Sequence, residues 1–590
     1  MKKNSVICLK LICAAYWSCF LLKSDAYYTP YLAVAVVGCM CMVYNNASKY
    51  TVEAKWKKVA VSTLAFVLSF CVAAANYKLF ESISAVYSEM LYRFNTLFRL
   101  ISMLVVLFGG IVLFGEILTS VCFLAEKHLL EEKSVKCAKI SAGVVFLLSW
   151  LMIAALDLFL LFSVEYPGVL TSDNTDQVHQ LLHFKQYSNH HPFYHTQIIH
   201  IMISLGLRLF GNMSAATALY SVFSILVMSG CFAYTIYTVY QLKHSIKAAV
   251  LTLLIYLLMP FHIKYSYTMW KDVFFGAAVL VFVVGAFRVF EKVGKHERIN
   301  YAVMLCGAFG MTLLRSNGLI AFVATVIVFA LLFRDRYKRT ILAFAGIIVM
   351  AFVLKHPVLT ALNVKQPDTV ESLSIPIQQI SRVITDGMEL TSEQQELLSN
   401  MVNIEDVPDN YKSYISDPIK NLIRNYGNKD YINENKTEFI KLYVQLGLEH
   451  PREYIRAWID QTKGYWNSGY SYWIWSQGVN DNLAGIEANV NSKTAESVLQ
   501  DYLREFTAST SNPLLLLFVS IGFNTWLVLI SAFSALIRKD FSALFVSVPT
   551  IMLIATLLIA TPVYAEFRYA YAMFCCLPFI VYVSFMGKKA

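Results

Sequence analysis

Apolar runs long enough to cross a bilayer recur almost from end to end of this chain, and they constrain its fold more than any other feature. A helix needs about 20 apolar residues to span the hydrocarbon core. On that basis about fourteen spans are read, at roughly 5–22, 31–44, 58–76, 100–125, 139–163, 214–241, 246–263, 272–290, 300–314, 317–333, 340–357, 512–537, 541–561 and 569–586. Backbone N–H and C=O groups find no water there, so each run must satisfy them within its own helix. Composition agrees. Of the 590 residues 57% are hydrophobic and 15% are charged, against about 25% charged in soluble domains. The fold expected is an all-α polytopic membrane protein.

The formal net charge of +10 could suggest a nucleic-acid partner. The basic residues, however, sit in short clusters between apolar runs, which is what the positive-inside rule produces, so no nucleic acid is expected. With the N-terminus cytoplasmic, the inner loops hold Lys55, Lys57 and Lys58; Lys133, Lys136 and Lys139; Lys243 and Lys247; Lys292, Lys295 and Arg298; Arg334, Arg336, Lys338 and Arg339; Arg538 and Lys539; and the terminal Lys588 and Lys589. Both termini are then expected inside the cell's plasma membrane. The N-terminal MKKN and the run after it read as an uncleaved first span. This topology requires that residues 195–212 do not cross. Two histidines, Arg208 and helically spaced apolar residues predict a helix lying in the outer interface there.

Four regions follow. Residues 1–138 are N-terminal spans, 139–358 a transmembrane core with an outer loop at 164–213, 359–511 an extracytoplasmic segment, and 512–590 the C-terminal spans. The third region is long enough for a small, mostly helical domain. Thr391 and Gln394 form a capping box before a helical run. NKTEFIKLYVQLGLEHP and PREYIRAWIDQTKGYW read as two helices broken at Pro451. The aromatic run 465–478 suits either an interfacial belt or a wall contacting sugar or lipid. This region has none of the twelve cysteines, which excludes a disulfide framework or zinc ribbon there.

The chemistry-bearing residues gather on the outer face. Glu165–Thr196 packs two aspartates, five histidines and a Pro167-Gly168 turn into 32 residues beside a span. Ionisable groups so close to a bilayer are costly, which marks them as candidates for function. Asp173 and Asp176 suit a general base for an acceptor hydroxyl, a divalent metal site, or a solvated turn. His190, His191 and His195 suit substrate hydrogen bonding or interfacial seating. The His191/His195 spacing also fits two metal ligands on one helix face, though no H-E-x-x-H pattern accompanies it. Lys271 and Asp272 open a span, Arg315 and Asn317 interrupt two others, and Glu566 and Arg568 lie in the last outer turn. Charges at helix ends often reach back to water. Lys271, Arg315 and Arg568, however, stand on the outer face against the charge rule, without basic neighbours, and so suit an anionic ligand such as a lipid phosphate. No Walker, GxGxxG or GxSxG motif stands in a plausible context.

This layout resembles the GT-C class of membrane glycosyltransferases. EYPGVLTSDNTDQ, YSNHHPFYHT, MWKDVFF, LLRSNGL, SIPIQQISR (374–382) and EFRYAY are similar to a poorly characterised bacterial family related to that class. The resemblance covers most of 140–590. It implies a polyprenyl-phosphate-linked sugar donor and a cell-envelope acceptor, whether polymer, lipid or protein. Asp173 would be the base, with Asp176 the rival assignment. Lys271, Arg315 and Arg568 would hold the phosphate, with Arg382 a weaker candidate. Some members of the class use a metal, Mg or Mn, at the carboxylate and others do not. The chain lacks the WWDYG-type signature of oligosaccharyltransferases. Two other classes compete: a transporter or flippase of lipid-linked sugars, which would use mid-membrane charges such as Asp157, and a non-catalytic assembly protein docking through 359–511. The topology has a direct check. An impermeant maleimide is expected to label a cysteine placed at Asn400 from outside and one at Asp335 only from inside. Labelling of position 335 from outside overturns it.

Overall fold

The computed structural model describes residues 29–78, 95–126, 140–334, 337–480, 484–507 and 513–586. Among them it is all-helical, with isolated bridges in place of strands. Among the described residues nine helices are long and apolar enough to cross a membrane. They are α1 (Lys55–Ala75), α2 (Asn95–Glu126), α3 (Ala142–Ser163), α6 (Met213–Lys243), α9 (Lys271–Phe290), α11 (Ser316–Phe333), α12 (Lys338–Ala361), α17 (Phe541–Ala560) and α18 (Phe567–Phe585). Between them lie α4 (Ser172–Leu181), α5 (Phe193–Phe210), α7 (Ile246–Leu258), α8 (Pro260–Ser266) and α10 (Glu297–Leu313). The segment after α12 includes α13 (Ser374–Thr385), α14 (Lys436–Glu449) and α15 (Pro451–Trp466), and α16 (Ile521–Ile537) precedes α17.

These nine fall on nine of the fourteen expected runs. The others differ for local reasons. The run at 246–263 bends by 64° between α7 and α8, where Pro260 cannot donate to the preceding turn. The run at 512–537 breaks at Ser520, whose side chain accepts from Phe523 N and starts α16 afresh. The run at 31–44 lies within the helix Thr29–Ala47, and the run at 300–314 overlaps the 17-residue α10. The first expected span, 5–22, lies outside the described residues.

The core is built around α9, the most deeply buried of the spans. Its partner α10 approaches closely because glycine stands at the contact. A Cβ on Gly307 would lie 2.4 Å from Phe282 N, and one on Gly285 2.9 Å from Met304 Cα. Small residues are what let helix backbones touch in a membrane. Further along α9, Phe290 packs with Phe329, Phe333 and Phe545, fixing that end of the helix. The N-terminal helices α1 and α2 pack against α16 through Leu68, Val72, Leu118, Trp526 and Phe533. The segment after α12 has its own core of Ile377, Val383, Leu398, Ile423, Leu442 and Leu446. The Thr391/Gln394 capping box is present, and α14 and α15 meet at Pro451.

α5 is not among the helices apolar enough to cross. One face packs on α4 and α6 through His195, Ile199 and Ile203, while Ile201, Leu205 and Leu209 are exposed. The Pro-Gly turn lies under α6. Gly168 has φ +127°, and a Cβ there would sit 2.1 Å from Ser221 Oγ and 3.0 Å from the Tyr267 carbonyl. Gly168→Ala is therefore expected to lower thermal stability in detergent, by about 1–3 kcal/mol. An unchanged melting temperature would contradict this packing.

Candidate functional site

Short backbone stitches bring the opening loop to the core. Val169 N donates to the Tyr267 carbonyl and Met269 N to the Val169 carbonyl, each at 3.0 Å. Leu170 is paired the same way with residues 478–480 of the aromatic stretch. Beneath this crossing Lys264 and Glu165 form a buried ion pair, and Gly478 N donates to the same carboxylate. The helix α4 then starts in a fixed place. Asn174 Oδ1 accepts from Thr171 N, Asn174 Nδ2 donates to the Met269 carbonyl at 2.7 Å, and Trp270 Nε1 donates to Thr171 Oγ1. Asp173, in the first turn of α4, is thereby held beside the start of α9.

Four helices begin at this point. α4 contributes Asp173, α9 contributes Lys271 and Asp272, Arg315 precedes α11, and Glu566 and Arg568 flank the start of α18. Arg568 Nη1 donates to Asp173 Oδ2 at 2.7 Å, and Lys271 Nζ lies 4.0 Å from the same oxygen. Arg315 pairs with Asp272, and its guanidinium sits over the Tyr569 ring at 4.6 Å. Tyr569 and Trp270 also face Arg568, at 5.3 and 5.5 Å. Arg568 Nε lies 3.2 Å from Glu566 Oε1 but is not aligned for a hydrogen bond. Asp272 Oδ2 is buried with no hydrogen-bond partner among the described residues. Three cations thus meet three carboxylates where four helix dipoles point their positive ends.

The environment sets the charge states. Burial alone would push the Asp173 carboxyl up, but Lys271 and Arg568 outweigh it and hold it well below the usual carboxylate range. Burial and then Lys271 push His191 far down, so its neutral ring accepts from Lys271 Nζ at 3.2 Å. Burial pushes the Glu566 carboxyl up to about 7, with Arg568 opposing it.

The other sequence candidates fall in different places. Asp176 faces away from the cations, pairing with Lys185 and Gln180 at the rim. His190 is exposed and stacks edge-on against His191. His195 is buried between elements, accepting from Gln177 Nε2 at 3.1 Å and donating to Tyr220 at 3.0 Å, and burial lowers it to about 3. It fastens α5 to α4 and α6, so the His191/His195 pair does not converge on a common ligand. Asn317 donates to Thr556. Arg382 belongs to a separate cluster, pairing with Asp386 and, together with Lys78 and Lys463, with the buried Asp460.

A cavity of about 770 Å³ opens directly on Asp173. Asp176, His190 and His191 line one side, and Lys365, Asp368 and Lys429 of the following segment line the other. The last three, with Tyr569, escaped sequence reading, since nothing local tied them to Asp173. Beside the loop, Trp473 and Trp475 wall a second cavity of about 380 Å³. Among the described residues no group of three or more His, Cys, Asp or Glu side chains could hold a metal ion. Asp173 faces cations and Asp176 faces Lys185, so the pair does not fit Mg or Mn bridged between them.

The Glu566 carboxyl should report this arrangement. Replacing Arg568 with Gln removes the opposing charge, so Glu566 is expected to titrate above its wild-type midpoint. Infrared difference spectra referenced to Glu566→Gln check this, and an unchanged or lower midpoint contradicts it. The native carboxyl holds its proton more tightly than the unfolded chain does. Its stability contribution is therefore expected to fall as pH rises from about 4.3 to about 7.

The sequence profile of DUF6020, a family of unknown function, matches residues 183–589. No curated protein and no solved structure matches the chain. The matched stretch includes His190, His191, Lys271, Arg315, Glu566 and Arg568, while Asp173 and Asp176 precede it. It spans more than half of the sequence, and the chain therefore belongs to the DUF6020 family.

Proposed function

We propose that this protein is a membrane glycosyltransferase, moving a sugar from a polyprenyl-phosphate-linked donor to an acceptor on the outer face of the plasma membrane. One observation carries the reading. A carboxylate, Asp173, stands between a cavity and a set of cations at converging helix starts. Such a set is suited to a phosphate, because N–H groups and cations share its charge in a low-dielectric site.

The two halves of the site serve the two ends of the reaction. In the resting protein Asp173 occupies Arg568 and is a weak base. A donor phosphate arriving at Arg568 and Lys271 takes over those cations. Asp173 then loses the charges that hold its proton affinity down and becomes a competent base. It accepts the proton of the acceptor hydroxyl as that oxygen bonds to the anomeric carbon. The bond from the anomeric carbon to the phosphate oxygen breaks, and the electron pair stays on the phosphate beside the cations. A single displacement of this kind inverts the anomeric centre. His191, neutral and bonded to Lys271, keeps that ammonium aimed at the site. The tryptophans 473 and 475 offer faces for a sugar ring.

A transporter would place its ionisable groups within the spans. Asp157 is such a group, but it is bonded to Ser266, and the other buried charge nearby, Lys264, is paired with Glu165. These pairings favour the enzyme reading. In a glycan-transfer assay on membranes, Asp173→Asn is expected to lose about 10²–10⁴-fold in rate. Asp176→Asn, at the rim, is expected to stay within about tenfold of wild type, as loss of an exposed ion pair allows. Full transfer by both variants overturns the carboxylate base.

A further inference from the structure

The opposite end of α9 carries a second basic site that has no part in this chemistry. At about 1.5 Å per residue, the helix places Arg288 roughly 25 Å from Lys271, at the other face of the membrane. A cavity of about 720 Å³ opens there, lined by Arg288, Lys292, Glu297, Tyr337, Lys338 and Arg339.

Arg288 is the unusual member. It is 4% exposed, and its guanidinium bonds only neutral oxygens. These are Asn300 Oδ1 at 2.9 Å, Thr238 Oγ1 at 3.0 Å, Gln241 Oε1 at 2.8 Å and the Val293 carbonyl at 3.4 Å. The rings of Tyr234 and Tyr237 flank it at 5.4 and 5.0 Å. Among the described residues, no ion pair involves Arg288, Lys292, Lys338 or Arg339. A buried cation without a counter-charge is costly, and the neutral cage fixes its orientation without neutralising it. The basic loops of the inner face serve topology and need only be exposed. That rule does not account for a guanidinium built into the core.

The backbone adds to the field. The helices α10 and α12 both begin at this cavity, and among the described residues no side chain caps either start. Their first turns present unpaired N–H groups and the positive ends of two dipoles. Among the described residues the lining sets four cationic side chains against one carboxylate, Glu297.

We propose that this cavity is an anion site for a phosphate-bearing ligand, separate from the Asp173 cluster and independent of the glycosyltransferase reading. The phosphate could be carried by the headgroup of an anionic phospholipid in the adjoining leaflet or by a soluble phosphorylated compound. The two sources share the same recognition by guanidinium, ammonium and helix N–H groups.

The test uses the full chain purified in detergent, with two probes. Inorganic pyrophosphate is titrated while thermal unfolding is followed. Phosphatidylglycerol retained from mixed micelles is counted by native mass spectrometry, with phosphatidylcholine as the uncharged-headgroup control. The variants are the surface triple Lys292→Gln/Lys338→Gln/Arg339→Gln and, for the other face, Arg568→Gln. Saturable binding of either probe is expected, weakened about tenfold or more in the triple variant and retained in Arg568→Gln. Binding of pyrophosphate alone identifies a soluble ligand, and selective retention of phosphatidylglycerol alone identifies a lipid headgroup. The proposal is overturned if neither probe binds, if the triple variant binds as wild type does, or if only Arg568→Gln loses binding.

Discussion

Charge brought out of water must be matched, and the cluster around Asp173 is organised by that requirement. Lys271, Arg315 and Arg568 stand where α9, α11 and α18 begin, so each adds to the positive end of a helix dipole. Left alone, such a concentration would oppose folding. Asp173, Asp272 and Glu566 offset it, but unevenly. Asp272 pairs tightly with Arg315 and is 1% exposed, while Asp173 remains 29% exposed beside its cavity. The inner pair serves the fold. On the proposed reading, the more exposed Asp173 is the carboxylate that an incoming anion displaces.

The same logic explains why the loop from Glu165 to Thr171 is so tightly fastened. The partner exchange proposed at Asp173 requires that α4 stay in place when Arg568 turns to another ligand. The Lys264–Glu165 pair, the stitches at Val169 and Leu170, and the Asn174 and Trp270 hydrogen bonds anchor that helix without using Asp173 itself. Gly168 lets the loop pass against Ser221 at a distance no side chain would permit. The loop is thus anchored without Asp173, the most exposed of the three carboxylates.

Much of the membrane architecture was legible because a span needs only a local property, a long apolar run. Nine runs fold as expected, and the exceptions at Pro260 and Ser520 are places where one residue interrupts the hydrogen-bond ladder. The capping box at Thr391 was equally local. The site was legible only as a set of residue types. Basic residues on the wrong side of the charge rule pointed to Lys271, Arg315 and Arg568, yet nothing in the sequence could pair Arg568 with Asp173 across 395 positions. The histidine spacing was ambiguous for the same reason. It fitted interfacial seating or substrate hydrogen bonding, and also two metal ligands on one helix face, whereas Gln177 and Tyr220 hold His195 and Lys271 meets His191. Arg382, the weaker phosphate candidate, pairs with Asp386 and Asp460, which no local pattern showed.

The central claim is that Asp173 occupies the position a donor phosphate takes. The most direct measurement is the affinity of purified protein for a polyprenyl phosphate in wild type, Asp173→Asn and Arg568→Gln. Removing the competing carboxylate should tighten binding by about tenfold or more, even as transfer is lost, whereas Arg568→Gln should weaken it by a similar factor. Weaker binding by Asp173→Asn would contradict the account. It would mean that the carboxylate helps to hold the ligand instead of making way for it.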